Sequence, residues 1–306
     1  MAREALIDQH GRAITYLRMS VTDRCNYRCV YCMAEDMQFM PRDELMSLAE
    51  LATIATAFVD LGVRKIRLTG GEPLVRPDVV SLVAKLSSLP GLDELTLTTN
   101  GAHLHKLAQP LKQAGLSRIN ISLDSLQPDR FKQLTRTGKL ANVLAGIRAA
   151  QDVGFTRIKL NSVILRDRND DEVIDLVDFA RAQGLDIAFI EEMPLGVIHE
   201  HDRAASFVSS AEILARIGTR IGVISPHSAN FCSTCNRVRV TAGGKLMLCL
   251  GNDDAVDLGA VLRAHPHSPS RLKEAIKAAI QTKPERHHFR LDAPPQIIRF
   301  MNMTGG

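Results

Sequence analysis

The strongest constraint on the fold is a regular alternation of short apolar runs and helical patterns between residues 17 and 193. One unit recurs about every thirty residues, which is the spacing of a βαβ unit and favours a parallel sheet. The predicted strands are 16–21, 65–69, 94–98, 118–122, 157–163 and 186–190, and the predicted helices are 48–61, 77–86, 104–114, 140–152 and 171–183. Six units are too few to close an eight-stranded barrel. The sequence therefore predicts an α/β fold, a partial (open) six-unit (βα)6 TIM-like barrel.

Polar residues follow each of the six predicted strands. Polar groups gathered at the carboxyl ends of parallel strands are typical of an active-site face. A single such end would be weak evidence, because Thr, Asn, Asp and Gly also form ordinary turns, but six ends in register favour a site. The polar ends are 22–23, 69–72, 98–100, 122–125, 161–162 and 191–192.

Composition narrows the class of ligand and the cellular location. Trp is absent and aromatic residues make up 4% of the chain, which argues against stacking platforms for single-stranded nucleic acid. The net charge is +4 with scattered Lys and Arg, so we expect a small anionic ligand and no nucleic-acid partner. The sequence contains no apolar run long enough for a membrane span, and its first residues are charged, unlike a signal peptide. We therefore expect a cytoplasmic protein with reduced thiols and no membrane partner.

The first group of cysteines is Cys25, Cys29 and Cys32, with the spacing C-x3-C-x2-C. A loop of this length can direct three thiolates at three irons of one cubane cluster, and the fourth iron remains open for a small molecule. Zinc normally takes four protein ligands, and no His lies nearby in the sequence. Two-iron clusters also take four ligands, so the pattern favours an open four-iron cluster over these alternatives and over free thiols.

The second group is Cys232, Cys235 and Cys249, with the spacing C-x2-C-x13-C. A second cluster with an open iron is the favoured interpretation, and a zinc site completed by His227 is the main alternative. The neighbouring segment 237–239 contains two arginines that could hold an anionic or purine ligand.

After Gly196 the alternation stops. We predict helices over 210–217 and 272–280 and an irregular tail over 294–306. The predicted division is therefore 1–196, the partial barrel with the N-terminal cluster, and 197–306, a C-terminal extension with an auxiliary cluster and substrate contacts.

Two motifs resemble a known superfamily. The first cysteine group, with Tyr31 before its last cysteine, and the run Thr69-Gly70-Gly71-Glu72-Pro73 are similar to signatures of radical S-adenosylmethionine (SAM) enzymes. More specifically, both cysteine groups, the segments 17–24, 191–196 and 231–237, and the terminal diglycine resemble the molybdenum cofactor biosynthesis protein A family, which are GTP 3′,8-cyclases.

The resemblance implies a role for individual residues. It implies two [4Fe–4S] clusters, held by Cys25, Cys29 and Cys32 and by Cys232, Cys235 and Cys249. It implies SAM contacts at Tyr31, Gly71, Ser122 and Met193. It implies GTP contacts at Arg18, Arg67, Thr98, Lys159, Arg237, Val238 and Arg239. It implies catalytic roles for Arg237 or Arg239 as a proton source and for the tail residues Gly305 and Gly306.

The family's reaction follows from the same resemblance. A 5′-deoxyadenosyl radical removes the 3′ hydrogen of GTP, the C3′ radical attacks C8 of guanine, and an electron and a proton complete 3′,8-cyclo-7,8-dihydro-GTP. This is the first step of molybdenum cofactor biosynthesis. It requires an electron donor of unknown identity, and a homodimer is one possible assembly.

Two other functions stay open at this point, and one departure from the family is evident. The alternatives are a peptide-modifying radical SAM enzyme with an auxiliary cluster and a non-catalytic zinc-binding protein. The family usually has a longer stretch with a Gly-Pro-Ala-Arg run before the second cysteines, whereas residues 217–220 form a shortened junction here. A loss of this loop would leave the substrate pocket incomplete without affecting the cysteine ligands.

Overall fold

A computed structural model describes residues 5–218, 221–287, 289–290 and 297–305. Within these residues ten strands form one sheet, in the order β10-β9-β8-β1-β2-β3-β4-β5-β6-β7. The first six are parallel and adjacent in sequence order, and the sheet does not close. The strands are β1 Tyr16–Ser20, β2 Lys65–Thr69, β3 Glu94–Thr99, β4 Arg118–Ser122, β5 Ile158–Ile164, β6 Asp186–Glu191, β7 Gly222–Ile224, β8 Arg237–Val240, β9 Lys245–Met247 and β10 Ala255–Asp257. The predicted open six-unit barrel is confirmed.

The predicted helices are also present, with small shifts at their ends. The second begins two residues later than predicted, because Asp78 has a left-handed backbone with φ of 58°. The fifth starts as a 3-10 turn over Asp170–Glu172. The α-helices are α1 Leu48–Asp60, α2 Val79–Ser87, α3 Leu104–Gln113, α4 Pro128–Thr135, α5 Leu140–Asp152, α6 Val173–Ala182, α7 Arg203–Ser206, α8 Ser210–Ile217, α9 Leu258–Ala264, α10 Pro269–Ile280 and α11 Met301–Thr304.

Among the described residues, four α-helices were not predicted, namely α4, α7, α9 and α11. Helix α4 is mostly polar but begins with a proline, which is favourable in the first turn, and it buries Phe131 and Leu134. The tail was predicted to be irregular, and this is wrong for α11, a single helical turn that buries Asn302 and Thr304. Its burial comes from contacts with distant strands, which no local pattern reveals.

Buried and partly buried residues alternate along β5, and this separates the side chains of the core from those of the site. In β5, Ile158, Leu160, Ser162 and Ile164 are buried, whereas Lys159, Asn161 and Val163 are only partly buried and line cavities. Because successive side chains of a strand point to opposite faces, one face of β5 packs on the helices and the other faces an interior space. Polar residues in the middle of these strands therefore belong to a site.

The C-terminal strands extend the same sheet at both edges. Strand β7 pairs in parallel with β6, and β8 pairs in parallel with β1. Arg239 of β8 is in register with Arg18 of β1, which is in register with Arg67 of β2. Three arginines thus stand side by side across three strands.

Within the described ranges, the helices are all too short or too polar to cross a membrane.

Candidate active site

The first cysteine group lies in a cavity at the carboxyl ends of the parallel strands. All three thiol groups line this cavity, on a loop that follows β1. The residues expected to contact SAM all line this cavity, namely Tyr31, Gly71, Ser122 and Met193.

The three thiols of this group are close enough to influence one another electrostatically. Burial raises the pKa of Cys25 to about 12, and the neighbouring Glu72 carboxylate adds to the effect. Burial and the charge of Cys25 raise the pKa of Cys32 to about 12, and burial and Cys32 raise the pKa of Cys29 well above its usual range. Iron binds thiolates, so loading this group must release protons and supply compensating positive charge.

The loop after β2 approaches the cysteine loop so closely that only glycine fits. A Cβ at Gly71 would lie 2.5 Å from the carbonyl oxygens of Asp23 and Arg24, and one at Gly70 would lie 2.6 Å from the Thr22 carbonyl oxygen. The Gly71 amide donates to the Thr22 carbonyl oxygen at 2.8 Å. This contact fixes the diglycine beside the first cysteine group.

Glu72 connects the next two loops. Its carboxylate accepts hydrogen bonds from the Thr99 hydroxyl at 2.7 Å and from the backbone amides of Asn100 at 2.6 Å and Leu74 at 2.9 Å. Full burial nevertheless raises the pKa of Glu72 to about 7. Its carboxylate is therefore held by hydrogen bonds from neighbouring loops, and Glu72 lines the cavity together with Gly70 and Gly71.

Asp124 lines the same cavity, and the sequence analysis had included it only in the polar strand end 122–125, without a role of its own. It accepts a hydrogen bond from the Tyr31 hydroxyl at 2.6 Å and from the Val163 amide at 2.9 Å. Burial raises the pKa of Asp124 to about 6. The carboxylate orients the ring of Tyr31 against the cavity, and its place after β4 is the only sequence signal that could have indicated this role.

The second cysteine group lies in a second cavity, which adjoins the first. Basic side chains from five different strands line it. These basic residues are Arg18, Arg67, Arg118, Lys159, Arg237 and Arg239, and Val238 also lines the cavity. Two lining residues, Arg118 and Tyr16, were not identified from the sequence, because isolated residues within strands have no distinguishing spacing.

These cations are crowded enough to perturb one another. Burial lowers the pKa of Arg18 to about 10, with Arg67 and Arg237 contributing. Burial and Arg118 lower the pKa of Lys159. Lowered pKa values of this kind indicate that burial and mutual repulsion disfavour the charged forms of these side chains. A bound polyanion would reduce that repulsion.

Thr98 lies somewhat apart from the other residues expected to bind GTP. It lines the first cavity, and its hydroxyl accepts a hydrogen bond from Arg67 Nη1 at 3.2 Å. It therefore connects the two cavities through Arg67.

The two cavities share a wall formed by four residues, which are Asn161, Ile190, Met193 and Met301. The two cysteine groups consequently lie in adjoining cavities. A ligand in the first cavity and a ligand in the second would meet at this wall.

The C-terminal tail lies against this wall. The Gly196 amide donates to the Ile297 carbonyl oxygen at 2.8 Å, and Phe300 packs directly on Gly196. Asn302 donates to the Asp23 carbonyl oxygen at 2.9 Å. At its end Gly305 contacts β8 and β2, whereas Gly306 lies outside the described residues.

The zinc alternative at the second group depended on His227. Its ring packs between the rings of Phe207 and Phe289, with centroids 5.5 and 5.8 Å away. Among the described residues, no three His, Cys, Asp or Glu side chains are grouped as ligands of one metal ion. Ligands of a cubane bind separate irons and surround a larger volume, so cysteines that line one cavity without converging on a point suit a cluster.

Comparison with known proteins agrees with this geometry. Residues 19–180 match the family model of the radical SAM superfamily, and residues 217–289 match that of Molybdenum Cofactor Synthesis C. The solved structures of Streptococcus suis SuiB bound to S-adenosylmethionine and of native anSMEcpe with bound AdoMet share the fold. Their TM-scores are 0.67 and 0.55 at 14% identity, over 94% and 76% of this chain and 79% and 73% of theirs. The chain is a radical SAM protein.

Relatives of higher sequence identity show to which family within the radical SAM class the chain belongs. GTP 3′,8-cyclase of Pseudomonas putida is 59% identical over 328 positions, covering 99% of this chain and 98% of that protein. GTP 3′,8-cyclase of Pseudomonas fluorescens is 56% identical over 332 positions, with both proteins fully covered. The chain belongs to the GTP 3′,8-cyclase family. Both alignments are longer than the 306 residues of this chain, so the relatives contain residues that it lacks, in agreement with a shortened segment.

Proposed function

We propose that this protein is a GTP 3′,8-cyclase that converts GTP to 3′,8-cyclo-7,8-dihydro-GTP in molybdenum cofactor biosynthesis. The observation that carries the proposal is the pair of adjoining cavities, each with three thiols, of which the second is lined by six basic side chains. A triphosphate needs such a concentration of positive charge, and a peptide does not.

In the first cavity, Cys25, Cys29 and Cys32 hold a [4Fe–4S] cluster. When bound, this cluster supplies the electron that cleaves SAM to methionine and a 5′-deoxyadenosyl radical. The surrounding residues bind and orient SAM, and the buried wall shields the site from water. The assigned SAM contacts are Tyr31, Gly71, Ser122 and Met193.

In the second cavity, Cys232, Cys235 and Cys249 would hold the auxiliary [4Fe–4S] cluster. Arg18, Arg67, Lys159 and the segment 237–239 bind GTP, with Thr98 contributing through Arg67. We add Arg118 to this set, because it faces the same space. Convergence of cations from several strands suits the oxygens of a triphosphate.

Arg237 and Arg239 are the assigned sources of the last proton. The guanidinium of Arg237 lies 4.4 Å from the ring centroid of Phe231, and the guanidinium of Arg239 is oriented by Gly305. Burial lowers the pKa of Arg239 well below its usual value, which favours release of a proton from this residue. Gly305 then acts by positioning this arginine, and the catalytic role assigned to Gly306 rests on the family resemblance, because this residue lies outside the described ranges.

Several further assignments belong to the same proposal. We assign residues 1–196 to the radical SAM barrel and 197–306 to the region of the auxiliary cluster. We also assign the protein to the cytoplasm, with an external electron donor and a homodimeric assembly. The peptide-modifying alternative is weaker, because the solved structure of SuiB bound to precursor peptide SuiA shares only the fold with this chain, at 15% identity.

The test is anaerobic incubation of the reconstituted protein with SAM, GTP and dithionite. We expect 5′-deoxyadenosine and a cyclised guanosine triphosphate in equal amounts. A matched reaction with ATP in place of GTP tests whether the protein requires guanine as the base. If 5′-deoxyadenosine forms while GTP is not consumed, the cyclase assignment is wrong, and the shortened junction at 217–220 would be the first feature to restore.

A further inference from the structure

We propose that the buried ammonium group of Lys283 offsets the negative charge of the cluster at Cys232, Cys235 and Cys249 and thereby raises the reduction potential of that cluster. The inference rests on the proposed function, because it requires a cluster at these three thiols.

Lys283 lies just after α10 and is almost fully enclosed, with 2% of its surface exposed. Its Nζ donates to the carbonyl oxygen of Leu248 at 2.6 Å, and Leu248 is the residue immediately before Cys249. The ammonium is therefore held at the loop that carries one cysteine of the group. A charge enclosed to this degree is poorly screened by solvent.

Buried Arg12 and partly buried Arg299 also contact the backbone of the loops that carry these cysteines, and each has a carboxylate partner. Arg12 donates to the Cys232 carbonyl oxygen at 2.8 Å and forms an ion pair with Asp8 at 2.6 Å. Arg299 forms an ion pair with Asp253. In the part of the chain that the structure describes, no carboxylate lies within ion-pair distance of Lys283. Lys283 thus brings net positive charge to the group, whereas the two arginines do not.

An enclosed cation without a carboxylate partner is costly, and it persists only where another negative charge compensates it. Three thiolates around an oxidised cubane leave a net negative charge, and one-electron reduction increases that charge. A fixed cation therefore stabilises the reduced cluster more than the oxidised cluster. Removal of the ammonium must shift the reduction potential to a more negative value.

The experiment uses the full chain with Cys25→Ala, Cys29→Ala and Cys32→Ala, so that any cluster signal arises from the second group alone. In this background the midpoint potential is measured by redox titration with electron paramagnetic resonance. Lys283→Met removes the charge and Lys283→Arg retains it. Lys245→Met removes an exposed charge four residues before Cys249 and serves as the matched control.

We expect a more negative midpoint for Lys283→Met and an unchanged midpoint for the other two variants. A normal iron content with an unchanged midpoint in Lys283→Met would overturn the proposal. If Lys283→Met melts normally but loses iron, retention of iron by Lys283→Arg supports the role of charge, and loss of iron in both variants overturns it in favour of packing. If the background protein itself holds no iron, the proposed second cluster is wrong, which is a separate result.

Discussion

Arg239 Nη1 donates a hydrogen bond to the carbonyl oxygen of Gly305 at 2.5 Å, although 66 positions separate them in the chain. Arg239 lies on β8 beside the second cysteine group, and Gly305 lies at the end of the described tail. A Cβ at Gly305 would stand 1.9 Å from the Thr69 hydroxyl oxygen of β2. The tail is thus inserted between a basic cavity and the strand that leads to the diglycine motif.

Gly305→Ala should displace the tail. The backbone at Gly305 has φ of 75°, which an alanine adopts at a cost of about 1–2 kcal/mol, and the added methyl group would overlap Thr69. We expect cyclase activity to fall at least about tenfold, with unchanged iron content. The measurements are product formation and iron per chain.

Gly154→Ala is the matched control for this change. Its backbone is also left-handed, with φ of 82°, but nothing in the described structure lies within 4 Å of an added Cβ. This variant should lose a similar amount of stability and keep its activity. Equal activity losses in both variants would show that backbone strain, and not the position of the tail, is responsible.

Cys249→Ala should remove about half of the iron. Cys249 is one of three ligands at the second group, and two thiolates do not hold a cubane. The first group lies in another cavity, so reductive cleavage of SAM should continue without conversion of GTP. Iron analysis and 5′-deoxyadenosine assays check this, with Ser233→Ala, between the other two cysteines of the group, as a control. Full iron content in Cys249→Ala would contradict a second cluster.

Tyr31→Phe should weaken SAM binding. The change removes the hydrogen bond to Asp124 and leaves a buried carboxylate with one fewer donor, at a cost of about 1–3 kcal/mol. We expect a lower thermal midpoint for unfolding and a weaker SAM affinity by equilibrium dialysis, with the iron content unchanged.

Tyr27→Phe is its control on the same loop. Within the described residues the Tyr27 hydroxyl makes no hydrogen bond of ordinary geometry, although the Lys139 amide lies near it. Loss of this hydroxyl should leave SAM affinity as it is. If both variants bind SAM like the parent, Tyr31 does not act through Asp124.

The sequence predicted the parts of the site that depend on local spacing. The strands follow from alternation, and the cysteine groups follow from short loops. The tail could not be predicted, because the contact between Asn302 and Asp23 joins residues 279 positions apart. Arg118 was missed for a related reason: an arginine within β4 looks like surface charge until the sheet places it in a cavity with Arg18.

The stability of the metal-free protein should fall as pH rises from about 4.5 to about 7, because of Glu72. Burial raises the folded-state pKa of Glu72 from 4.5 to about 7, so the folded state binds the proton more tightly than the unfolded chain does. Between these two values stability decreases with increasing pH, by roughly 3 kcal/mol at most for this group. Glu72→Gln, which cannot ionise, should flatten the dependence of the thermal midpoint on pH across this window.

Glu94 should contribute to the pH dependence of stability in the opposite direction, and Glu94→Gln tests this. Burial opposes ionisation at Glu94, but the hydrogen bond and charge of Lys65 outweigh it and lower its pKa. Stability from Glu94 is therefore present above about pH 4.5 and is lost as the pH falls through the lowered folded-state pKa. If Glu72→Gln leaves the pH profile of unfolding unchanged while Glu94→Gln alters its acidic limb, the Glu72 carboxylate is ionised throughout, and its three hydrogen bonds outweigh its burial.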